Sequence, residues 1–199
     1  MSEMLAGKRK HIVETAYALF KKQGYHMTGI DQIIAEAKVA KMTMYRHFPG
    51  KDGLILEVLD YRQDNFLNQL EDKIKAATDV RESISAIVTW YEGWFQSADF
   101  HGCVTTRALT EFPDLHHPVA TTAARHKAIL QERLTEILRA EMPSADAKKA
   151  AAALFLLLEG ATISAQMRGV KEVISDLRQA VDAVLEYSGR RGRHNTDAS

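Results

Sequence analysis

The sequence predicts an all-α protein of about nine helices, because apolar residues recur at three- and four-residue spacing through most of the chain. Strong helix formers dominate its 199 residues, and only 4 prolines interrupt them. Hydrophobic residues make up 46% of the chain and charged residues 26%. That balance is typical of a folded globular protein.

The chain opens with an amphipathic helix that ends at a glycine turn. Residues 8–23 carry apolar side chains on one face. Gly24 stands where a left-handed helix end is expected. The turn leads to Thr28, which we expect to cap the second helix, with Asp31 at the third helical position of a capping box.

The second and third helices are short and adjacent. The second covers residues 30–37 and the third covers residues 39–48, where Pro49-Gly50 stops it. Two short helices joined by almost no linker form a helix-turn-helix. The sequence therefore predicts an N-terminal three-helix domain of this kind.

A long fourth helix, residues 51–76, leaves this small bundle. It is too long to pack only against the first three helices, so we interpret it as the connection between two lobes. We place an N-terminal helix-turn-helix domain at residues 1–50, a larger helical domain at residues 51–188, and a disordered polar tail at residues 189–199. Turn signals separate five further helices, at residues 80–97, 103–111, 118–140, 145–168 and 171–188.

Charge is unevenly distributed, although the net charge is zero. Residues 1–51 hold 9 Lys and Arg against 4 Asp and Glu, whereas residues 52–199 hold 17 against 22. Such asymmetry favours a nucleic-acid partner for the N-terminal part. Chance clustering on a solvated face is the alternative that charge alone leaves open.

The third helix has the side chains expected of a helix in a DNA major groove. Such a helix buries one side, here Val39, Met44 and Phe48, and offers the other to base edges. An exposed methionine at position 42 has a physical reason if its side chain contacts a thymine methyl group. The residues left facing outward or sideways are Lys41, Met42, Thr43, Tyr45, Arg46 and His47.

Three motifs follow one another at fixed spacing. The first helix ends in Phe20…Gly24-Tyr25, residues 28–34 read TGIDQII, and residues 37–51 read AKVAKMTMYRHFPGK. In order and spacing, residues 8–60 resemble the DNA-binding domain of the TetR family of bacterial repressors. The resemblance implies a homodimer that binds a palindromic operator and is released by a small-molecule effector.

Two residues depart from the family pattern. Lys38 replaces the turn glycine, so a positive φ there would strain a lysine unless a phosphate compensates for it. Ala40 replaces the usual capping serine. The resemblance implies phosphate contacts for Thr28, Tyr45, His47 and Lys51, and positions near the bases for Lys41, Met42, Thr43 and Arg46. Arg46 has the best chemistry for guanine.

The last two helices are expected to form a dimer interface. Residues 145–168 are apolar on nearly all sides, which indicates burial in a core or against another chain. In the resembling family, the last two helices pair with their symmetry mates. A monomer whose last helices pack only within the chain is the alternative. The expected interface residues are Leu157, Ala161, Ala165, Ile174, Leu177, Val181 and Val184.

An aromatic cluster predicts a small-molecule pocket in the larger domain. Trp90 and Trp94 lie four residues apart on one helical face, and a large apolar pocket with a few polar groups is the default ligand site. A plain aromatic core is the alternative for each of them. The candidate lining residues are Trp90, Trp94, Cys103, Arg107, Phe112, Phe155, Glu159 and Gln166.

Other chemistries have less support. The sequence has no phosphate-binding glycine loop and no nucleophile elbow, so we expect neither an enzyme nor catalytic residues. We expect no cofactor, and the histidines around Cys103 match no zinc spacing, so we also expect no metal. Cys103 lies close to His101, which leaves a redox-responsive regulator open. A helical small-molecule binding protein or enzyme is the remaining alternative.

The expected location is the cytoplasm, without membrane contact. No window holds the roughly 18 uninterrupted apolar residues that span a bilayer. The first ten residues contain no apolar core of signal-peptide length. The single cysteine cannot form an intrachain disulfide.

Overall fold

The computed structural model describes the backbone of residues 2–196 and the side chains of residues 7–188. This part of the chain is all-α and contains no strand, which confirms the predicted fold class. The predicted tail of residues 189–199 lies outside the residues described in full. The helices are α1 Ser2–Gln23, α2 Ile30–Glu36, α3 Lys41–His47, α4 Lys51–Ile74, α5 Val80–Phe95, α6 Val104–Glu111, α7 Pro118–Leu138, α8 Ser144–Ser164 and α9 Val170–Thr196.

The chain divides into two compact units. The first combines Met1–Phe66 with Cys103–His126, and the second combines Leu67–Gly102 with Lys127–Ser199. Helix α6 thus belongs with the N-terminal helices, although it comes much later in the sequence. The boundary predicted near residue 50 separates two functional domains and not two compact units. It therefore stays a prediction.

The first unit has a core built from the apolar faces of its helices. Ile12, Ala16 and Phe20 recur every four residues along α1 and are fully buried. Ile33 of α2 and Met44 of α3 belong to the same core. Burial of these faces fixes the two short helices, which could not be stable alone at this length.

Helix α2 begins without the predicted side-chain cap. Its N-cap is Gly29, which has no side chain to offer. The buried hydroxyl of Thr28 instead donates to the carbonyl oxygen of Gly24 at 2.7 Å. The capping role predicted for Thr28 and Asp31 is therefore wrong, because that hydroxyl closes the turn before the helix.

Both unfavourable features that the sequence indicated are present at the start of α3. Lys38 has a φ of 51°, in the left-handed region that glycine adopts most readily. Ala40 is the N-cap of α3, and no side chain accepts from the first backbone N–H groups. The recognition helix thus begins with a strained turn and an uncapped end.

We expect Lys38→Gly to raise the free energy of unfolding by about 1 kcal/mol, because it removes this strain. Ala40→Ser should add about 1 kcal/mol by supplying the missing cap. Urea unfolding followed by circular dichroism measures both. Lys148→Gly, in the regular helix α8, is the matched control and should lower the same quantity by about 0.5–1 kcal/mol. Destabilisation by Lys38→Gly would contradict the strain.

The second unit is organised around α5, α8 and α9. Helix α5 is capped by Asp79, whose carboxylate accepts from the N–H of Glu82 at 2.7 Å. Helix α9 packs against both α5 and α8. Within the described part of the chain, no helix combines the length and apolar character needed to cross a membrane.

Candidate nucleic-acid interface

Helix α3 buries one side and leaves the other open to solvent. Met44 is buried in the core, and Phe48 follows it at the end of the helix. Met42 is 76% exposed, so a large apolar side chain stands on the solvent side of this helix. The other predicted contacts on this helix lie outside the core: Lys41, Tyr45 and Arg46 are exposed, and Thr43 and His47 are half-buried.

Two lysines flank this face. Lys41 Nζ lies 3.2 Å from Asp31 Oδ1 of α2. The hydrogen bond to that carboxylate raises the pKa of Lys41 above its ordinary value, so the lysine is charged at neutral pH. Lys51 Nζ donates to the carbonyl oxygen of His26 at 3.4 Å. Cations thus stand at the start of α3 and at the start of α4, as the sequence predicts.

Two of the predicted phosphate contacts have restricted side chains. The hydroxyl of Thr28 is buried and bonded to Gly24, so a phosphate cannot reach it in this conformation. The Nε2 atom of His47 is buried and has no hydrogen-bond partner among the described residues. Tyr45 and Lys51 carry no such restriction on their polar ends.

Helix α6 holds the turn between α1 and α2 through two charged residues. The carboxylate of Glu111 accepts the N–H of Tyr25 at 3.0 Å and the N–H of His26 at 2.6 Å. The guanidinium of Arg107 donates to the carbonyl oxygens of Phe20 and Lys21, both at 3.0 Å. We call Arg107 and Glu111 the α6 clamp. It satisfies backbone groups that a helix end and a tight turn leave unpaired.

Aromatic contacts reinforce the α6 clamp. The ring of Phe112 lies 4.9 Å from that of His26 and 6.0 Å from that of Tyr25, centroid to centroid. The Tyr25 hydroxyl donates to the carbonyl oxygen of Val104 at 3.1 Å. Burial raises the pKa of Tyr25, so its hydroxyl stays protonated and able to donate. The first turn of α6 is thus tied to the same segment as its last turn.

Known proteins share the helix-turn-helix and the overall fold. The sequence profile of the family described as "Bacterial regulatory proteins, tetR family" matches residues 12–58. The crystal structure of SCO4454, a TetR-family transcriptional regulator from Streptomyces coelicolor, covers 92% of this chain and 97% of its own, with a TM-score of 0.87 and 29% identity. The chain belongs to the TetR family. It is a helix-turn-helix transcriptional regulator, and proteins of this family are non-enzymatic, as predicted.

Curated relatives match the N-terminal part of this TetR-family regulator. LmrA, an HTH-type transcriptional regulator of Bacillus subtilis (strain 168), is 37% identical over 81 residues, which are 40% of this chain and 43% of LmrA. FasR, an HTH-type transcriptional activator of Mycolicibacterium smegmatis, is 33% identical over 81 residues, 41% of this chain and 37% of FasR. The matches therefore span less than half of either relative.

The predicted ligand-binding residues of this TetR-family regulator fall into both units. In the first unit, Arg107 and Phe112 hold the turn between α1 and α2, and Cys103 precedes α6 as its N-cap. The members in the second unit are Trp90, Trp94, Phe155, Glu159 and Gln166. Their role in binding stays a prediction.

The members in the second unit have local partners of their own. The indole N–H of Trp90 donates to Gln69 Oε1 at 3.0 Å. The ring of Trp94 lies 5.1 Å from that of Phe100, centroid to centroid. Glu159 accepts from Lys127 Nζ at 2.6 Å.

Most of the predicted dimer-interface residues are covered within the subunit. Ala161, Ile174, Leu177 and Val181 are buried, while Leu157, Ala165 and Val184 are half-buried. The exposed apolar side chains of the same helices are different ones: Leu156, Ile163 and Met167 on or just beyond α8, and Tyr187 on α9. Periodicity could not separate these sets, because α8 is apolar on nearly all sides.

Two hollows lie between α8 and α9, beside these exposed residues. One has a volume of about 240 Å³ and is lined by Leu156, Gly160 and Ala180, among others. The other has a volume of about 320 Å³ and is lined by three alanines, Val184 and Tyr187, with the polar side chains of Asp146, Lys149 and Ser188 at the same hollow. The face formed by these hollows and the exposed apolar side chains is called the α8–α9 face below.

Proposed function

We propose that this TetR-family regulator is a homodimeric repressor that binds a palindromic operator and is released by a small molecule. The observation that carries the proposal is the exposed side of α3, where Met42 stands among cations and hydrogen-bonding side chains. An apolar residue held in water at a groove-reading position has a physical reason if it meets a thymine methyl group.

The proposed DNA contacts divide into two classes. Lys41, Met42, Thr43 and Arg46 lie nearest the bases and choose the sequence. Contacts to phosphates fix the position of the protein but carry no sequence information. We assign these to Lys38, Tyr45, His47 and Lys51, whereas Thr28 is fully buried in this conformation and offers a phosphate no contact.

We expect Arg46→Ala to weaken binding to the operator by about 1–3 kcal/mol while leaving non-specific binding almost unchanged, because Arg46 reads a base. Lys51→Ala is the matched control. It should weaken both kinds of binding and lower the slope of log affinity against log salt by about 1, as a lost phosphate contact does. Fluorescence anisotropy at several salt concentrations measures both variants. An equal loss of specific and non-specific affinity in Arg46→Ala would make Arg46 a phosphate contact.

The α8–α9 face is the proposed dimer interface. Soluble monomers rarely expose large contiguous apolar patches, and such patches mark surfaces that another chain covers. A two-fold dimer carries two copies of α3, as a palindromic operator requires. The interface would include Leu157, Ala165 and Val184 together with the more exposed residues beside them.

The proposed effector acts by favouring one of two conformers. A ligand shifts such an equilibrium only if it binds the two conformers with different affinity. Within the first unit, the α6 clamp ties α6 to the turn that precedes α2. A movement of α6 would therefore displace that turn and the start of the helix-turn-helix with it. The proposed place of action is the cytoplasm, where the operator DNA is found.

A further inference from the structure

An acidic side chain accompanies the cations of the proposed DNA contacts. Asp31 is the second residue of α2, and its side chain is exposed. It does not cap α2, which begins at Gly29 without a side-chain cap. A carboxylate repels the phosphates of any DNA that approaches it. Asp31 therefore weakens DNA binding unless it meets a hydrogen-bond donor on the DNA.

The contact of Asp31 with α3 shows where this carboxylate lies. Lys41 Nζ donates to Asp31 Oδ1 at 3.2 Å, across the turn between α2 and α3. Lys41 is the first residue of α3, and a recognition helix presents its N-terminal residues to base edges. The carboxylate of Asp31 therefore lies at the base-reading end of α3, beside the ammonium group of Lys41.

Each group of this pair can make more hydrogen bonds than the one that joins them. An ammonium group has three N–H donors, and the bond to Asp31 uses one of them. An ionised carboxylate has sites for about four hydrogen bonds, and the bond from Lys41 uses one of those. The pair therefore presents donors and acceptors side by side, one hydrogen-bond length apart.

We propose that Asp31 and Lys41 together read one G·C base pair in each half of the operator, with Asp31 accepting from the N4 amino group of the cytosine. In the major groove guanine shows two acceptors, N7 and O6, and cytosine shows the N4 donor. Lys41 donates to the guanine, and Asp31 accepts from the cytosine. Guanine O6 and cytosine N4 are bonded to each other in the base pair, so they are also one hydrogen-bond length apart.

An A·T pair in the same orientation fits this arrangement badly. Adenine shows its N6 donor where guanine has O6, and thymine shows its O4 acceptor where cytosine has N4. Lys41 would then face a donor and Asp31 an acceptor, so both contacts would be lost. The inference rests on the proposed DNA-binding function, to which it adds a base contact from α2.

The test is selection of bound sequences from a pool of duplexes with a randomised centre, with the full chain and its variants. The parent chain should recover a palindrome that contains this G·C pair in each half. We expect Asp31→Ala to lower the preference for G·C over A·T at that one position by about tenfold, as the loss of a single base contact does. Lys41→Ala should relax the same position. Asp31→Asn should relax it as well, because an amide donates as well as accepts.

Glu36→Ala is the matched control. Glu36 is an exposed acid at the other end of α2, so this variant removes the same charge from the same helix. Its base preferences should equal those of the parent chain at every position. Circular dichroism checks that all four variants keep their helices.

Two results would overturn the assignment alone, since the parent chain would still select a palindrome. If Asp31→Ala binds every duplex more tightly with unchanged base preferences, Asp31 is only a negative charge near the phosphates. If Asp31→Ala and Lys41→Ala relax different base pairs, the two residues do not read one pair together. A parent chain that recovers no common sequence would instead contradict the proposed function, and this inference with it.

Discussion

Leu156→Glu is expected to convert the dimer into monomers and to weaken operator binding by about a hundredfold or more, because two unpaired carboxylates would be buried across the two-fold axis. Leu156 is 69% exposed in the single chain and lines the 240 Å³ hollow of the α8–α9 face. Burial of one unpaired charge costs about 3–5 kcal/mol. Two copies of the charge would also repel each other.

Leu115→Glu is the matched control for this variant. Leu115 precedes α7 and is 74% exposed, but it belongs to the other compact unit. Analytical ultracentrifugation should give a dimer for the parent chain and for Leu115→Glu, and a monomer for Leu156→Glu at the same concentration. Circular dichroism shows whether the helices remain. A dimeric Leu156→Glu with unchanged operator affinity would place the interface elsewhere.

Glu111→Ala is expected to lower the free energy of unfolding by about 2–3 kcal/mol, because charge-assisted hydrogen bonds to two backbone N–H groups are lost. Those groups belong to Tyr25 and His26, in the turn before α2. The turn should become less ordered, and operator affinity should fall with it. No residue of the proposed DNA contacts is changed in this variant.

Glu132→Ala provides the comparison for this loss. Glu132 lies on α7, and its carboxylate is 58% exposed and accepts from Arg139 at 3.2 Å. An exposed ion pair of this kind contributes less than about 1 kcal/mol, so this variant should unfold almost like the parent chain. Urea unfolding gives both free energies, and hydrogen exchange reports on the N–H groups of residues 25 and 26. Equal stability of the two variants would show that the α6 clamp is dispensable.

Local patterns predict much of the first unit. Apolar periodicity locates its helices, and the motif spacing locates the exposed side of α3 around Met42. The positive φ of Lys38 and the missing cap at Ala40 also follow from the sequence, because each depends on one residue and its immediate neighbours. The capping role of Thr28 does not follow, since its hydroxyl could accept from an N–H at the start of α2 or donate to a nearby carbonyl oxygen, and it donates to Gly24.

Contacts between residues far apart in the chain could not be predicted from the sequence. Glu111 reaches a turn 85 residues earlier, and no local pattern indicates that partner. The sequence does not indicate which side of α8 is exposed, because this helix is apolar on nearly all sides. His126 did leave a signal, since it is a polar residue on the apolar face of α7. Its partner, Asp60 of α4, could not be predicted from the sequence.

The central claim is that two copies of this chain bind one palindromic DNA site. Gel shift and sedimentation with fragments that flank its own coding region test it most directly, at low salt and without effector. The account predicts one complex with two chains on a single fragment. Its affinity should fall linearly with the logarithm of salt concentration, with a slope set by the phosphate contacts. Absence of binding to every such fragment, or a complex with one chain per site, would contradict it.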